Sequence, residues 1–433
     1  MGVDIGTSSV KAVAVDATGA VVARVRIPHQ VEMPTPDVFQ HDARAAWCDG
    51  VQAAVGEVAA GHRVLGITVA AMVPSLCAVD PDGRPISPGL LYGDARGGTG
   101  GGAPTDSGEL VGYLRWLAGR YPDAAGFWPA QAVANAALGG RGAIDTVTAM
   151  TAMPLFDGDG WDATLCGSAG ASTEQLPALV PGTDAIASVD GARISGGTID
   201  ALGEQIVAGA DAPGDVLVIC GTTLIVWAVV DDWREVDGLW TVPHTAPGLT
   251  LIGGASNAGG LFVDRVRHIV ADVAGYEMAG LAPDRVPVWV PYIRGERTPH
   301  HDADLRASLI DLDVSHDRAS VLRAAYEATG FVVRHHLDLA SVAAERIVAT
   351  GGGVQAPEWM QALADTTGLP VDVSAVAEGA ALGAAYMARA TAGLEPDLSA
   401  AGRWARTDRQ VQPRPDWVGP CEGRYRRFRE VVG

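Results

Sequence analysis

The sequence predicts an α/β protein with two similar halves, because one strand-and-turn pattern occurs twice and helical patterns follow each copy. In residues 2–27 an apolar strand ends at an acid, a glycine and three hydroxyls follow, and a turn then joins two further strands. In residues 215–230 an apolar strand runs into Gly221-Thr222-Thr223, and a second strand follows. Apolar runs of this length and alternation are typical of strands. A pattern that recurs in this way indicates a repeated structural unit.

Periodic apolar segments separate the two patterns and continue after the second one. They predict helices over residues 43–60, 109–119, 259–274, 319–344 and 358–367, and a further helix at the carboxyl end. A strand is expected over residues 346–350 and a surface loop over the glycine-rich residues 97–102. We place the boundary near Ser195, which gives domains of residues 1–195 and 196–433.

Composition limits the classes of partner. Of 433 residues 48% are apolar, which suffices for large cores, and the formal net charge is −20. A charge of this sign repels nucleic acid and anionic lipid, so we expect small-molecule partners and metal ions, with no nucleic acid and no membrane. No apolar run reaches eighteen residues, and the first strand leaves no room for a signal peptide, so we expect a cytoplasmic protein. The five cysteines form no C-x-x-C pair and are expected to be buried thiols.

The first turn carries the only lysine of the chain, Lys11, among 31 basic residues. It ends the segment Asp4-Ile5-Gly6-Thr7-Ser8-Ser9-Val10-Lys11, in which a strand runs into a glycine and three hydroxyls. Backbone N–H groups and hydroxyls at such a junction bind phosphates, an aspartate holds a metal, and lysine is a compact point charge where arginine is a wide fork. The segment predicts a nucleotide site. The alternative is that the single lysine reflects composition alone.

These residues resemble the FGGY family of carbohydrate kinases, within the superfamily of actin, hexokinase and the heat-shock ATPases. Five motifs stand in the order of that family: Asp4 to Lys11, Gly221-Thr222-Thr223, Gly295-Glu296-Arg297-Thr298-Pro299, Thr350-Gly351-Gly352-Gly353, and Glu378 to Ala385. The resemblance implies two actin-like (ribonuclease H-like) domains. Each would be a mixed sheet flanked by helices, with its first three strands antiparallel, and the active-site cleft would lie between the domains.

The resemblance also implies ATP and Mg²⁺ as cofactors. Asp4 would hold the metal, and Gly352 and Gly353 would let adenosine lie against backbone because they carry no Cβ. The remaining nucleotide contacts would come from Gly6, Thr7, Ser8, Ser9, Lys11, Gly221, Thr222, Thr223 and Gly259. Trp359, Gln361 and Asp365 follow the adenosine motif, and we expect them to pack the helix.

The catalytic base of the family resembles Asp200 in the segment Gly197-Thr198-Ile199-Asp200. There it would accept the proton of the sugar hydroxyl, assisted by the positive end of the helix that begins at this residue. The alternative is that Asp200 only caps the helix. The base is followed by Ala201, whereas glycerol kinases carry Gln or Asn there, which argues against glycerol.

The sugar pocket departs most from the family. Where members often carry Gln-Met-His-Gly, this chain has Met72-Val73-Pro74-Ser75, and Tyr92-Gly93-Asp94-Ala95-Arg96 stands for a Trp-x-Asp-x-Arg pattern. The resemblance implies sugar contacts from Pro74, Tyr92, Asp94, Arg96 and Asp200. An alternative for Asp94 and Arg96 is an internal ion pair that holds a loop.

The sequence therefore predicts an ATP-dependent sugar kinase that phosphorylates a terminal hydroxyl of a ketose or polyol, with a pentulose such as xylulose as the first expectation. Two alternatives stay open at this point: an actin-like or chaperone-like ATPase, and a catalytically degenerate homologue that binds sugar without turnover. A homodimer also stays open.

Overall fold

Two mixed sheets, each with helices packed on it, organise the part of the chain that the structure describes. That structure is a computed structural model, and it describes residues 1–35, 38–97, 109–270, 280–376 and 378–433. Its strands are β1 Gly2–Ile5, β2 Ser9–Val15, β3 Val21–Pro28, β4 Gln40–His41, β5 Gly66–Ala71, β6 Ser75–Val79, β7 Gly89–Leu91, β8 Gly126–Trp128, β9 Ala143–Asp145, β10 Ala178–Val180, β11 Ala185–Val189, β12 Ala192–Ser195, β13 Thr198–Ile199, β14 Asp215–Cys220, β15 Leu224–Val230, β16 Trp240–Pro243, β17 Thr250–Ser256, β18 Val288–Val290, β19 Ser308–Ile310, β20 Arg346–Thr350, β21 Val371–Ser374 and β22 Thr407–Val411.

The helices lie between and after these strands. They are α1 Gly50–Ala59, α2 Glu109–Arg120, α3 Ala130–Ala137, α4 Thr146–Met150, α5 Ala163–Ser168, α6 Asp200–Ala208, α7 Gly260–Val270, α8 Arg318–Ala340, α9 Pro357–Thr367, α10 Gly379–Thr391 and α11 Pro415–Val432. A π-helical segment, Arg44–Asp49, leads directly into α1. Short 3₁₀ turns stand at Ala95–Gly97, Thr173–Gln175, Gly352–Gln355 and Ala401–Trp404.

The chain divides into two compact units, which the sequence alone does not delimit. The first unit contains Met1–Val207 and Glu378–Trp404, and the second contains Ala208–Ala377 and Ala405–Gly433. The predicted boundary near Ser195 lies inside the first unit, because β13 pairs with β5 there and leads into α6. The return of residues 378–404 to the first unit has no counterpart in the predicted domains.

The sheet of the first unit has the strand order β11-β12-β5-β1-β2-β3, with β13 also paired to β5. Strands β1, β2 and β3 are antiparallel, as expected, while β5 is parallel to β1, β12 and β13. Every residue of β1 and β5 is buried, which explains their continuous apolar sequences. Two smaller sheets, β4-β7-β6-β8 and β9-β10, also belong to the first unit, and β6 begins at Ser75 of the Met72-Val73-Pro74-Ser75 segment.

Helix α10 explains why the chain returns to the first unit. A Cβ at Gly2 of β1 would lie 1.9 Å from the Ala381 carbonyl, and a Cβ at Gly66 of β5 would lie 2.4 Å from the Ala388 carbonyl. The helix backbone therefore packs directly on the two central strands, and only glycine allows this approach.

The sheet of the second unit has the order β16-β17-β15-β14-β20-β21-β22. Strands β14, β15 and β17 are antiparallel neighbours, and β14, β20 and β21 are parallel. This arrangement repeats that of the first unit, as the two sequence patterns predict. Both units are mixed sheets with helices, which confirms the predicted α/β class.

Buried charges join three helices of the second unit. The Glu327 carboxylate in α8 accepts hydrogen bonds from Arg323 and from Arg424 of α11. Asp365 of α9 accepts from Arg323 and from Arg414, which immediately precedes α11. Every buried carboxylate oxygen in this network is paired, so the network ties the predicted terminal helix to the core.

Most predicted elements are confirmed, with shifted ends. Helices α2, α8, α9 and α11 and strands β14, β15 and β20 lie where the patterns place them. Residues 98–102 of the expected glycine-rich loop and residues 271–274 of the expected helix lie outside the described residues. All five cysteines are buried and free. No helix in the described ranges is both long and apolar enough to cross a membrane.

Candidate active site

The carboxyl edge of the first unit's sheet brings three predicted segments together. Strands β1 and β13 flank β5, and Ile5 and Ile199 are both register partners of Ala71. The phosphate turn, residues 6–9, therefore leaves the sheet beside Asp200 and beside the Met72-Val73-Pro74-Ser75 segment. Parallel strands end at the same edge of a sheet, and this edge is where ligands bind in open α/β sheets.

Asp4 and Lys11 are direct cross-strand partners on β1 and β2. The Lys11 ammonium donates to Asp4 Oδ2 at 3.2 Å, and the carboxyl group of Asp4 is only 5% exposed. Burial raises the pKa of Asp4, although the charge of Lys11 acts in the opposite direction. The charge of Asp4 in turn raises the pKa of Lys11. The second oxygen, Asp4 Oδ1, is buried without a hydrogen-bond partner in the structure.

The phosphate turn is closed by backbone hydrogen bonds. The Gly6 N–H donates to the Ser9 carbonyl at 3.1 Å, and the His29 N–H donates to the Ser8 carbonyl at 3.0 Å. Ser9 is buried, and its hydroxyl accepts from Arg26 Nε at 3.1 Å, whereas Ser8 is exposed. Among the predicted phosphate ligands of this turn, Ser8 is thus the most exposed, whereas the side chain of Ser9 is buried and bonded to Arg26.

Thr7 is held on two sides by residues distant in the sequence. Its hydroxyl lies 2.7 Å from the Tyr92 hydroxyl, and its carbonyl lies 2.8 Å from His41 Nε2. Trp47 Nε1 donates to His41 Nδ1 at 3.1 Å, so the neutral imidazole carries its proton on Nε2 and donates it to Thr7. Burial, with a contribution from the neighbouring His29, lowers the pKa of His41 to about 4. The neutral form is therefore the one that supports the turn at pH 7.

Asp200 begins α6, and its Oδ1 accepts the N–H of Ala201 at 2.7 Å. One turn later on the same helix stands Glu204, a partly buried carboxyl group. Burial raises the pKa of Glu204 to about 7; the charges of Asp4 and Asp200 act in the same direction and Lys11 in the opposite one. Four charged side chains of the first unit thus interact at this edge.

Asp94 and Arg96 form the internal ion pair that the sequence analysis left open. The Arg96 guanidinium donates to Asp94 Oδ1 at 2.8 Å and to Oδ2 at 2.6 Å. Each carboxylate oxygen also accepts a backbone N–H, from Arg96 and from Phe39. The carboxyl group of Asp94 is fully buried and occupied by this network, so its role as a sugar ligand stays a prediction without added support.

Pro74 lies in the wall of a cavity with largely apolar lining. Val73, Pro74, Phe127, Trp161 and Leu176 are among the lining residues. The segment that carries a histidine in many family members thus presents apolar side chains here. Contact of Pro74 with a sugar stays a prediction.

In the second unit the turn Gly221-Thr222-Thr223 follows β14, and its carbonyl groups accept hydrogen bonds from the start of α7. The Gly260 N–H donates to the Gly221 carbonyl at 2.8 Å, and the Leu261 N–H donates to the Thr222 carbonyl at 3.0 Å. A Cβ at Gly259 would lie 2.2 Å from the carbonyl carbon of Thr223. Gly259 therefore allows the start of α7 to pack against the turn. This packing explains why a glycine stands at position 259 even if the residue contacts no nucleotide.

The two glycines predicted to receive adenosine differ in their surroundings. A Cβ at Gly352 would meet no atom within 4 Å, whereas one at Gly353 would lie 2.5 Å from the Trp359 ring and 2.8 Å from Cys220 Cβ. Gly352 faces open space and Gly353 faces the core. Trp359 donates to Thr329 Oγ1 at 2.7 Å, and Gln361 donates to the buried Asp365, so these helix residues pack as expected.

His41, Trp47 and Glu204 are the candidate-site residues that sequence reasoning missed. His41 and Trp47 stand 34 and 40 positions beyond Thr7 in the sequence, with no motif around them. Glu204 stands four positions after Asp200, a spacing that places both on one helix face. That spacing is the one sequence signal that identifies Glu204 before the structure is known.

Comparison with known proteins identifies the fold and the family. The model of the N-terminal domain of the FGGY family of carbohydrate kinases matches residues 1–99, and the model of its C-terminal domain matches residues 216–392. A xylulose kinase of Streptomyces rubiginosus is 28% identical, with 93% of this chain and 90% of the relative covered. A xylulose kinase of Escherichia coli strain K12 is 24% identical, with 92% and 91% covered.

Solved structures are similar over nearly the whole chain. A ligand-bound xylulose kinase from Lactobacillus acidophilus gives a TM-score of 0.84 at 21% identity, covering 99% of this chain and 96% of that one. A gluconate kinase from the same organism gives 0.83 at 21% identity with the same coverage. At this identity the likeness establishes the fold. The two family models together match more than half of the sequence, and this chain belongs to the FGGY family of carbohydrate kinases.

Proposed function

We propose that this ATP-dependent carbohydrate kinase phosphorylates a pentulose such as xylulose, with Asp200 as the general base. The chain covers about nine-tenths of the length of several curated relatives named xylulose kinase. The alanine that follows Asp200 supports a ketose over glycerol, as argued from the sequence. The gluconate kinase among the similar structures is a reason to test sugar acids beside ketoses.

The observation that carries the proposal is the position of Asp200 beside the phosphate turn. Asp200 directly follows strand β13, and residues 6–9 directly follow β1. Both strands pair in parallel with β5, so the two segments leave the same edge of the sheet. A base of this kind must lie within hydrogen-bond reach of the hydroxyl that attacks phosphorus. The Ala201 N–H bond orients one carboxylate oxygen and leaves Asp200 at the positive end of α6.

In this proposal different residues of the first unit accept the proton, align the reactants and neutralise charge. The sugar oxygen forms a bond to the γ-phosphorus while the bond between that phosphorus and the ADP oxygen breaks, and the hydroxyl proton passes to Asp200. Because the transition state needs alignment and charge neutralisation more than covalent help, the turn at Gly6, Thr7, Ser8 and Ser9 and the ammonium of Lys11 would supply them.

Asp4 fits Mg²⁺ because its buried Oδ1 has no hydrogen-bond partner while Oδ2 is occupied by Lys11. Within the described residues no group of three or more His, Cys, Asp or Glu side chains is placed to hold a metal. A single carboxylate suits Mg²⁺, which keeps several waters and binds substrate phosphates. When bound, the ion would neutralise charge on the phosphates.

The second unit supplies further nucleotide contacts of the proposal. Gly221, Thr222 and Thr223 form its phosphate turn, Gly259 allows α7 to start against that turn, and Gly352 offers the open backbone for adenosine. A Cβ at Gly353 would collide with Trp359 and Cys220. Gly353 would therefore contribute by allowing the core to pack behind the backbone that receives adenosine.

A coupled assay of ADP release tests the proposed substrate. The panel contains D- and L-xylulose, ribulose, fructose, gluconate, xylitol and glycerol, each with ATP and Mg²⁺. We expect release that depends on sugar and is fastest with a xylulose. Release that is indifferent to every compound would contradict a working kinase and favour a sugar-independent ATPase, and sugar binding without release would favour the degenerate homologue.

A further inference from the structure

Glu204 lies on the same face of α6 as Asp200, one helical turn later. Residues four positions apart on a helix are neighbours, with their Cβ atoms about 5 to 6 Å apart. The carboxyl groups of Asp200 and Glu204 repel each other. The proposed function gives Glu204 no part, so its place beside the base needs a separate explanation.

The Glu204 carboxylate is held at the start of α10. It accepts the N–H of Ala380, and a Cβ at Gly379 would lie 1.8 Å from Glu204 Oε2. The same two helices approach closely at their backbones, since a Cβ at Gly383 would lie 1.9 Å from the Gly203 carbonyl. A carboxylate at a helix N-terminus is stabilised by the N–H groups there. Glu204 thus fixes the first turn of α6 relative to α10.

Glu204 also contributes to the electrostatic field at the single lysine. The Lys11 ammonium is attracted by Glu204 as well as by Asp4, with which it forms its hydrogen bond. Two carboxyl groups, Asp4 and Glu204, therefore act electrostatically on one ammonium group.

We propose that Glu204 is a positioning residue, which holds the start of α6, where Asp200 stands, against the start of α10. This inference rests on the proposed function. Glu204 does not touch the reacting atoms; it keeps the base in register with the phosphate turn. Small misplacements of such groups lower turnover by up to about 10²-fold, so loss of Glu204 should lower kcat more than it alters substrate binding.

Two substitutions test the position and the charge of this carboxylate separately. Gly379→Ala displaces it, because the added methyl would occupy the place of Oε2, and leaves its chemistry unchanged. Glu204→Gln keeps an acceptor for the Ala380 N–H and removes the charge, and the assays are run at pH 8, above the pKa of Glu204. The control is Gly56→Ala on the exposed side of α1, where a Cβ meets no atom within 4 Å.

We expect both test variants to lower kcat about 10-fold or more, with the KM for sugar within about twofold of wild type, and Gly56→Ala to behave as wild type. Melting temperatures identify any variant that fails to fold, and Glu204→Gln then decides alone. A folded Glu204→Gln enzyme with the wild-type kcat would overturn the inference. Wild-type protein that phosphorylates no sugar would instead contradict the proposed function, so the two failures are distinguishable.

Discussion

The hydrogen bond between Tyr92 and Thr7 offers a direct test of how the phosphate turn is supported. Tyr92 replaces the tryptophan of the family pattern, and its hydroxyl lies 2.7 Å from Thr7 Oγ1. Tyr92→Phe removes the hydroxyl and keeps the ring, which packs edge to face on Phe39. Thr7→Val removes the other partner with little change of shape. The two single variants and the double variant form a thermodynamic cycle.

The size of the effect follows from the bond. Tyr92 is 8% exposed, so water replaces the lost partner poorly. A net contribution of about 0.5 to 1.5 kcal/mol per hydrogen bond corresponds to a change of about 2- to 13-fold, at about 1.36 kcal/mol per factor of ten. If the bond orients the turn for phosphate, Tyr92→Phe should lower kcat/KM for ATP by this factor.

Steady-state rates with ATP varied and sugar saturating provide the measurement. The double variant should be less impaired than the product of the two single effects, by the same 2- to 13-fold. Tyr121→Phe, which removes a hydroxyl from the residue after α2, is the matched control. Single effects that multiply in the double variant would refute the coupling, and the turn would then be held by His41 and its own backbone bonds.

Three further predictions concern the stability of the fold and the binding of ATP. Asp94→Ala should destabilise the first unit by about 1 to 3 kcal/mol because it removes a fully buried carboxylate that accepts the Phe39 N–H and the Arg96 guanidinium, which keeps its bond to Gln40, whereas Asp82→Ala, which removes an exposed pair, should cost under about 0.5 kcal/mol; equal melting temperatures would contradict this. Burial raises the pKa of Glu296 from 4.5 to about 7, so the folded state keeps a proton that the unfolded state loses, and stability should fall by up to about 3 kcal/mol as pH rises across that window. Glu296→Gln should remove that fall, and a melting profile with the wild-type slope would contradict the assignment. Gly352→Ala should raise the KM for ATP at an unchanged melting temperature, whereas Gly353→Ala should lower the melting temperature; the reverse pattern would place adenosine elsewhere.

Local patterns predict the strands and turns that carry the phosphate contacts. The hairpin that pairs Asp4 with Lys11 follows from the first strand pattern, since strands joined by a short turn run antiparallel. The second turn, Gly221-Thr222-Thr223, lies where the repeat places it. Residues 43–60 show the limit of this reasoning, because Arg44–Asp49 form a π-helical segment before α1 that periodicity does not distinguish from an α-helix.

Contacts between distant residues are not predictable from one sequence. Thr7 and Tyr92 stand 85 positions apart, and Glu204 meets a helix that begins at Gly379. Such contacts depend on how strands are ordered in the sheet, and short motifs carry no information on that order. The return of α10 to the first unit has the same cause, because it rests on the fit of Gly2 and Gly66 against a helix backbone.

Asp94 and Arg96 show how chemistry alone leaves two interpretations. Their spacing is compatible with sugar contact and with an ion pair, and both uses require the same side chains. Burial supports the ion pair, since the carboxyl group of Asp94 is fully buried and each of its oxygens accepts two hydrogen bonds. The ion pair is formed, and sugar contact by Arg96 stays a prediction.

Asp200→Asn tests the central claim most directly. The substitution keeps the size of the side chain and an acceptor for the Ala201 N–H, and it removes the carboxylate that would accept the hydroxyl proton. Loss of a general base costs about 10² to 10⁴ in rate, so kcat with xylulose should fall by at least the lower figure while ATP affinity and melting temperature stay near those of wild type. A variant that phosphorylates xylulose at close to the wild-type rate would show that Asp200 only caps α6, and would contradict the proposed mechanism.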